Sequence, residues 1–206
     1  MSRISLRGFP AFFIIPVSFI PKMRYNHPMN FYCISVRTGM EEKYKQSVEP
    51  VISDDGISGT LHFFRKKMRL KTGKEYCEPF FPGYLFFETE ETLPVRLKEL
   101  EAGKGFIRFL PSNQEIAPLA NTDLSIVTSI LRFGDTVGIQ NVTFDKGDRI
   151  VIVDGPFKDF SGKVVAVNRR NKRVNIELDF MGSVRVVGLS YEVVRHNPHE
   201  NKKTEC

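Results

Sequence analysis

The spacing of apolar residues changes character once along this 206-residue chain, at a glycine-containing polar segment over 134–143. Before it, runs with the 3.6-residue spacing of helices alternate with runs that have the two-residue spacing of strands. After it, only short strand-like runs occur. We therefore expect two units joined by a flexible linker over 134–143: an α+β domain over 29–133 and an all-β domain over 144–196.

The pattern of the first domain predicts an antiparallel sheet flanked by helices, because strands and amphipathic helices are interleaved. Glu41 and Glu42 open the first helix, where acidic side chains complement the helix dipole. Asn121 or Thr122 is the expected cap of the last helix. The predicted strands are 31–36, 61–70, 83–89 and 106–110, and the predicted helices are 41–51, 92–102 and 121–133.

The second domain alternates strictly between apolar and polar residues over 174–179, as a half-buried strand does. Further short strands are predicted over 148–153, 163–168, 184–187 and 189–194. About five strands in so short a stretch indicate a small barrel rather than an open sheet. The polar residues 197–206 are expected to form a tail.

The first 28 residues carry four basic and no acidic residues, with an apolar run over 9–20. That run is shorter than the roughly 20 residues that a membrane helix needs. Pro10, Pro16 and Pro21 interrupt it, and no small-residue cleavage site follows. A translated upstream extension before a start at Met29, a degenerate targeting segment and a bound hydrophobic arm are the alternatives; we favour the first, a non-structural extension over 1–28.

The cysteines and histidines exclude several classes of function. Cys33, Cys77 and Cys206 are odd in number and lack CxxC spacing, which argues against a disulfide framework and a zinc site and suits a reducing cytoplasm. The four histidines form no recognisable nucleophile, acid–base or metal arrangement. No glycine-rich phosphate loop is present. We expect no enzyme activity, no cofactor, no metal and no membrane association.

The aromatic run over 80–87 is the most informative stretch of the first domain. On a strand, Tyr84 and Phe86 face one way while Leu85 and Phe87 face the other. Helices cover only part of so small a sheet, so an aromatic face, or its rim at Phe81 and Tyr84, is expected to stay exposed. An exposed apolar patch usually marks a partner site. The alternative is that all these rings belong to the core.

Two segments resemble motifs of one family. Residues 80–84, Phe-Phe-Pro-Gly-Tyr, resemble the FFPGY segment of the NusG N-terminal domain, and residues 31–39 are similar to its opening strand, with Phe31 where the family often has Trp. Residues 147–157 with 162–164 closely resemble the KOW motif of the family's SH3-like barrel. In this order and spacing, they make the chain resemble NusG-type transcription elongation and antitermination factors over about 29–195.

The resemblance implies a non-enzymatic adaptor. In the family, the first domain binds the clamp helices of the largest subunit of RNA polymerase, and bridging the polymerase cleft suppresses pausing. Carried over to this chain, the polymerase-binding residues are Phe80, Phe81 and Tyr84. The contact is a helix held in an aromatic-lined groove. We expect a cytoplasmic monomer.

Basic residues suggest nucleic-acid contacts in both domains. The hairpin tip over 169–173 and two nearby lysines are candidate contacts to an RNA hairpin: Lys158, Lys163, Arg169, Arg170, Lys172 and Arg173. The alternative is a solvated charged turn. Resemblance to specialised paralogues, including the LoaP-like antiterminators, favours RNA. The acid-free basic run over 65–74 is either a protected sheet edge or a contact to upstream DNA.

Two other functions remain open. A housekeeping NusG would couple the polymerase to the termination factor Rho or to the ribosome through its barrel. A ribosome-associated KOW protein would be basic throughout. The first domain instead carries 14 basic and 14 acidic residues over 29–133, which argues against the ribosomal alternative.

Overall fold

A computed structural model of the protein describes residues 29–54, 57–90, 96–158 and 163–194. The predicted extension over 1–28 and the predicted tail over 197–206 lie outside these residues. In the first domain the elements are β1 (Asn30–Val36), α1 (Glu41–Asp54), β2 (Thr60–His62), β3 (Arg65–Arg69), β4 (Glu75–Pro79), β5 (Tyr84–Thr89), a 3-10 helix (Arg96–Ala102), β6 (Phe106–Phe109) and α2 (Asn121–Leu131).

The first sheet has the strand order β2-β5-β1-β6 and is antiparallel, as expected for the α+β domain. Its central pair sets Cys33 opposite Phe86 and Ile34 opposite Leu85. Because side chains alternate across a strand, the two faces carry different sets of apolar residues. One face packs on α1 and the 3-10 helix through Tyr44 and other buried side chains. The other face packs on α2 and continues into the second domain.

The strand predicted over 61–70 is instead two strands in different sheets. β2 belongs to the first sheet, whereas β3 joins β4 and β7 (Thr136–Val137) in a separate three-stranded sheet. Phe63 and Phe64 are consecutive and both buried, so the strict alternation of one strand ends between them. The pattern also did not indicate β4.

The helices differ from the prediction in detail. The helix predicted over 92–102 is a 3-10 helix from Arg96, and residues 91–95 lie outside the described part. The predicted side-chain cap of α2 is wrong, because the residue before the helix is Ala120, in an extended conformation and without a capping side chain. Asp123, in the first turn, instead accepts a hydrogen bond from the amide of Met181 in the second domain (2.8 Å).

The second domain is the predicted SH3-like barrel. Its five strands are β8 (Gln140–Phe144), β9 (Ile150–Ile152), β10 (Val164–Asn168), β11 (Arg173–Phe180) and β12 (Ser183–Val193), in the order β10-β11-β12-β8-β9. The long strand β12 replaces two predicted strands. The apolar residues of β11 alternate inward, with Ile176 and Leu178 fully buried.

The segment over 134–143 contains strands where the sequence predicts a flexible connection. β7 pairs in parallel with β3 of the first domain, and β8 pairs with β9 and β12 of the barrel. Val137 and Val142 are fully buried, which ties the segment to both domains. β7 has only two residues, and β8 begins with the polar pair Gln140 and Asn141, which resembles a linker in the sequence. The domain boundaries themselves stay a prediction.

Candidate functional site at the contact between the domains

The Phe-Phe-Pro-Gly-Tyr motif forms the tight turn between β4 and β5. Gly83 has a φ of 83°, a backbone conformation that favours glycine. Its amide donates to the buried carboxylate of Glu41 at the start of α1 (2.7 Å). A Cβ at this position would lie 3.1 Å from Thr38 Oγ1. Gly83 therefore fixes the turn against α1, and this turn positions Phe81 and Tyr84.

The barrel covers the aromatic residues of this motif. The ring of Phe81 stacks on Phe180 of β11, with centroids 4.4 Å apart, and Phe80 stacks on Phe157, at 5.5 Å. Phe81 is only 3% exposed. The expectation of an exposed aromatic rim is therefore wrong for this arrangement. The physical reason is that the barrel brings aromatic rings of its own to the face that α2 leaves uncovered.

Tyr84 is also joined to the barrel but remains half-buried. Arg185 of β12 donates from Nη2 to the phenol oxygen of Tyr84 (3.0 Å), and its guanidinium lies 5.0 Å from the centre of the ring. A cation over an aromatic face is attracted by the ring's quadrupole. All three residues predicted to bind polymerase, Phe80, Phe81 and Tyr84, thus contact one surface of the second domain.

A polar seam continues the contact from the aromatic rings towards the β3–β4 hairpin. The amide of Arg69 donates to Ser190 Oγ (3.0 Å), and Lys66 donates to the carbonyl of Gly188 (2.9 Å). The Arg69 guanidinium also forms an ion pair with Glu192 of β12. Both strands of the seam therefore contribute hydrogen bonds, and β12 lies along β3.

Half of the basic residues in the acid-free run over 65–74 form ion pairs, with acids that lie outside the run. Lys66 forms an ion pair with Glu78 (3.2 Å), and Lys67 and Arg69 share Glu75, all from the adjacent strand β4. The hydrogen bond from Arg69 lowers the pKa of Glu75 below its usual value. Cross-strand pairing with β4, which the sequence did not indicate, supplies these acids.

The six residues predicted to bind nucleic acid do not form one cluster. Arg173 faces the first domain, where it donates to the carbonyl of Arg69 (2.9 Å), and it also donates to Ser190 Oγ of the neighbouring barrel strand. Arg169 is paired with Asp148 (2.7 Å) and lies over the ring of Phe144. Arg170 and Lys172 are exposed beside a cleft between the domains. Lys158 and Lys163 are exposed on either side of residues 159–162, which lie outside the described part.

His62 is a buried polar residue that sequence reasoning did not single out. Its Nδ1 lies 2.9 Å from Asp135, at the start of the connection between the domains, and its Nε2 lies 2.9 Å from Glu88 of β5. Burial acts to lower the pKa of His62, but the hydrogen bonds to the two carboxylates outweigh it and raise the pKa. His62 therefore fastens the connection to the first sheet.

Comparison with known proteins identifies the family. The family model for the transcription termination factor NusG matches residues 29–128, and the model for the KOW motif matches residues 146–177. The chain belongs to the NusG family. The NusG match contains Phe80, Phe81 and Tyr84, and the KOW match contains Phe157 and the basic hairpin tip.

Curated NusG proteins align with nearly their whole length. The transcription termination/antitermination protein NusG of Thermus thermophilus is 28% identical over 182 residues, which cover 81% of this chain and 97% of that protein. The NusG protein of Bacillus subtilis is 22% identical over 173 residues, with coverage of 79% and 95%. The resemblance to the family expected from the two motifs is confirmed.

A solved structure of domain interaction in Thermotoga maritima NusG has a similar fold, with a TM-score of 0.54 and 19% identity over 79% of this chain and 94% of that one. The NusG family is not an enzyme family. Within the described residues, no helix is long and apolar enough to cross a membrane, and no group of metal-ligating side chains is arranged to hold an ion.

The barrel side of the site was missed from the sequence. Phe157 lies inside the KOW motif and Phe180 follows the alternating run of β11, and neither position distinguishes an interface residue from an ordinary core residue. Arg185 follows a turn and gave no signal. No local pattern in the sequence marks these three residues as facing another domain.

Proposed function

We propose that this NusG-family chain is a transcription elongation and antitermination factor that binds the clamp helices of RNA polymerase through Phe80, Phe81 and Tyr84. The observation that carries the proposal is the stack of Phe81 on Phe180, which belongs to the other domain. The aromatic face is covered by a separate module rather than by the helices of its own domain. A second apolar partner can therefore take the place of the barrel.

In this proposal the barrel and the polymerase compete for one surface. Each aromatic pair contributes about 0.5–1.5 kcal/mol beyond the apolar area that it buries. Contacts between domains of one chain are commonly exchangeable, and relative domain motion is the default expectation. The solved structure of domain interaction in Thermotoga maritima NusG supports this proposal, because the domains of that relative also contact each other. The docked form would be inactive towards polymerase, and release of the barrel would expose the binding face.

We further propose that the barrel recruits RNA through its hairpin tip. Arg170 and Lys172 are exposed, and release would also free Arg173 from its bond to the carbonyl of Arg69, whereas its bond to Ser190 lies within the barrel. Cations at a hairpin tip bind phosphates and displace counterions. A protein with these partners works in the cytoplasm, which is where we place it.

One observation favours a second candidate function for the barrel. Release would expose Phe157, which is fully buried against Phe80 in the docked form. An exposed aromatic residue on a small barrel suits a protein partner better than a phosphate backbone. This would agree with a housekeeping role in which the barrel couples polymerase to Rho or to the ribosome.

The test is binding of a polymerase clamp-helix fragment to full-length variants. Phe81→Ala combined with Tyr84→Ala removes two central aromatic contacts, and we expect binding to weaken by about 30-fold or more. Phe180→Ala weakens docking of the barrel but leaves the surface of the first domain intact, so it is expected to strengthen binding of the clamp-helix fragment. Phe133→Ala, an exposed phenylalanine 58% accessible at the end of α2, is the matched control.

The outcomes separate the parts of the proposal. Unchanged binding by the Phe81/Tyr84 variant, shown to be folded by its thermal melt, would mean that polymerase does not use this face. If Phe180→Ala binds no more tightly than the unaltered chain while the first variant loses binding, the face is correct but the barrel does not compete for it.

A further inference from the structure

A cleft of about 370 Å³ lies between the two domains, at the end of the polar seam. Its walls come from both modules: Lys71 stands on the turn between β3 and β4, whereas Arg170 and Lys172 stand on the hairpin tip between β10 and β11. Ile139 of the connection also lines it. Since the two walls belong to different domains, the cleft exists only while the barrel is docked.

We propose that this cleft binds the backbone of single-stranded nucleic acid, and that such a strand therefore prefers the docked form to the released form. The proposal rests on the RNA binding proposed above for the hairpin tip. It adds a second wall, contributed by the first domain, to that site.

The charges that line the cleft are uncompensated. Lys71, Arg170 and Lys172 form no ion pair with any residue of 29–54, 57–90, 96–158 or 163–194. Arg69 also lines the cleft, but Glu75 and Glu192 bind its guanidinium. Docking therefore gathers three like charges around one opening, at a coulombic cost that a polyanion would remove.

The shape and the remaining wall suit an extended strand. Lysine and arginine side chains donate hydrogen bonds to phosphate oxygens. In an unpaired single strand these oxygens lie along the backbone, where a positively charged groove can contact them. Leu70, whose side chain is 47% exposed beside Lys71, offers an apolar surface against which an unpaired base can pack. A cleft of this volume holds a short stretch of extended strand rather than a duplex.

This site has a consequence for polymerase binding. A ligand that touches both walls stabilises docking, whereas polymerase requires release. By linkage, each must then weaken the affinity of the protein for the other by the same factor. After release, the hairpin tip keeps Arg170 and Lys172 but loses Lys71 and the apolar surface of Leu70, while Arg173 stays bonded to Ser190 within the barrel. The strand would be held more weakly by the polymerase-bound protein than by the free protein.

The first experiment measures binding of fluorescent single-stranded oligonucleotides of mixed sequence, one RNA and one DNA, to the full chain at several salt concentrations. We expect Lys71→Gln to weaken binding severalfold and to reduce the slope of log affinity against log salt by about 0.7, the value for one lost phosphate contact on a single strand. Arg170→Gln combined with Lys172→Gln should reduce both the affinity and the slope further. Lys43→Gln, at an exposed lysine of α1 that forms no ion pair within the part of the chain that the structure describes, is the control and should change neither the affinity nor the slope.

The variants distinguish this proposal from the one on which it rests. If Lys71→Gln binds as the unaltered chain does while the Arg170/Lys172 variant loses affinity, the barrel binds alone and the two-walled site is wrong. If neither variant changes affinity for either oligonucleotide, nucleic-acid binding by the hairpin tip is wrong as well. Comparison of the RNA and DNA arms shows which backbone the site takes.

The second experiment follows hydrogen exchange of the Arg69 amide, which donates to Ser190 across the domain contact. A strand that binds only the docked form slows this exchange up to about a hundredfold at a concentration 100 times its dissociation constant. The Val153 amide, which donates to the carbonyl of Asn141 within the barrel and away from the cleft, is the control and should not respond. Faster exchange of Arg69 with bound strand would overturn the proposed preference for the docked form.

Discussion

At the residue scale, His62 illustrates how a single buried side chain connects the domains' linker to the first sheet. Glu88 approaches its ring from β5 and Asp135 from the connection, while Phe64 stacks on it with centroids 6.0 Å apart. Both carboxylates accept a hydrogen bond only when both ring nitrogens carry protons. The charged imidazolium is therefore the form that this site stabilises, in agreement with the raised pKa of His62.

His62→Gln is predicted to lower the free energy of unfolding by about 1–3 kcal/mol at low pH, since the buried carboxylate of Glu88 and the partly exposed carboxylate of Asp135 lose their charged partner. Because the pKa of His62 is raised on folding, its stabilising effect is complete below the unfolded value of about 6.5 and is lost as pH rises through the folded pKa. Chemical denaturation of the unaltered chain and of His62→Gln between about pH 5.5 and pH 9 measures how the difference in their free energies of unfolding changes with pH. A difference that stays constant over the range would contradict the assignment.

At the scale of elements, the β3–β4 hairpin determines how the barrel sits. Its basic side chains look like a solvated edge in the sequence, but acids from β4 and β12 pair with them, and β12 lies along β3. Arg173 completes this contact from the barrel side. A residue expected to bind nucleic acid is thus occupied in holding two elements together.

Arg173→Ala is predicted to loosen docking, because it removes the hydrogen bond that Arg173 donates to the carbonyl of Arg69 across the domain contact. A net loss of about 1–1.5 kcal/mol corresponds to roughly tenfold faster exchange of the Arg69 amide. Arg170→Ala, an equally basic change three residues away whose side chain makes no described ion pair, should leave that exchange unaltered. Equal effects of both substitutions would show that overall charge, rather than this contact, controls docking.

Prediction from the sequence was accurate where the deciding residues are close together in the chain. The aromatic turn over 80–84, α1 and the alternating strand β11 all show local periodicity or turn chemistry, and their positions were predicted well. The cover over the turn could not be predicted, because Phe81 and Phe180 are about a hundred residues apart and meet only through the relative placement of two domains. The assignment of Phe80, Phe81 and Tyr84 to polymerase binding stays a prediction.

At the scale of the whole molecule, one apolar core crosses the domain contact. Phe81 and Phe86 of the first domain pack with Phe180 of the barrel, so the docked form buries on each side a face that would be exposed in the released form. Polar bonds at the edges, from Arg185 to Tyr84 and from Met181 to Asp123, orient the two modules. A binding partner for the first domain must replace this whole set of contacts.

The central claim is that polymerase and barrel exclude each other from the Phe81 face. Hydrogen exchange of the Met181 amide tests it most directly, since this amide is protected by Asp123 of the other domain. When a clamp-helix fragment saturates the full chain, we predict that Met181 exchanges as an unprotected amide while Tyr191, bonded to Lys172 within the barrel, keeps its protection. Continued protection of Met181 in the saturated complex would mean that the barrel stays docked, and would contradict the account.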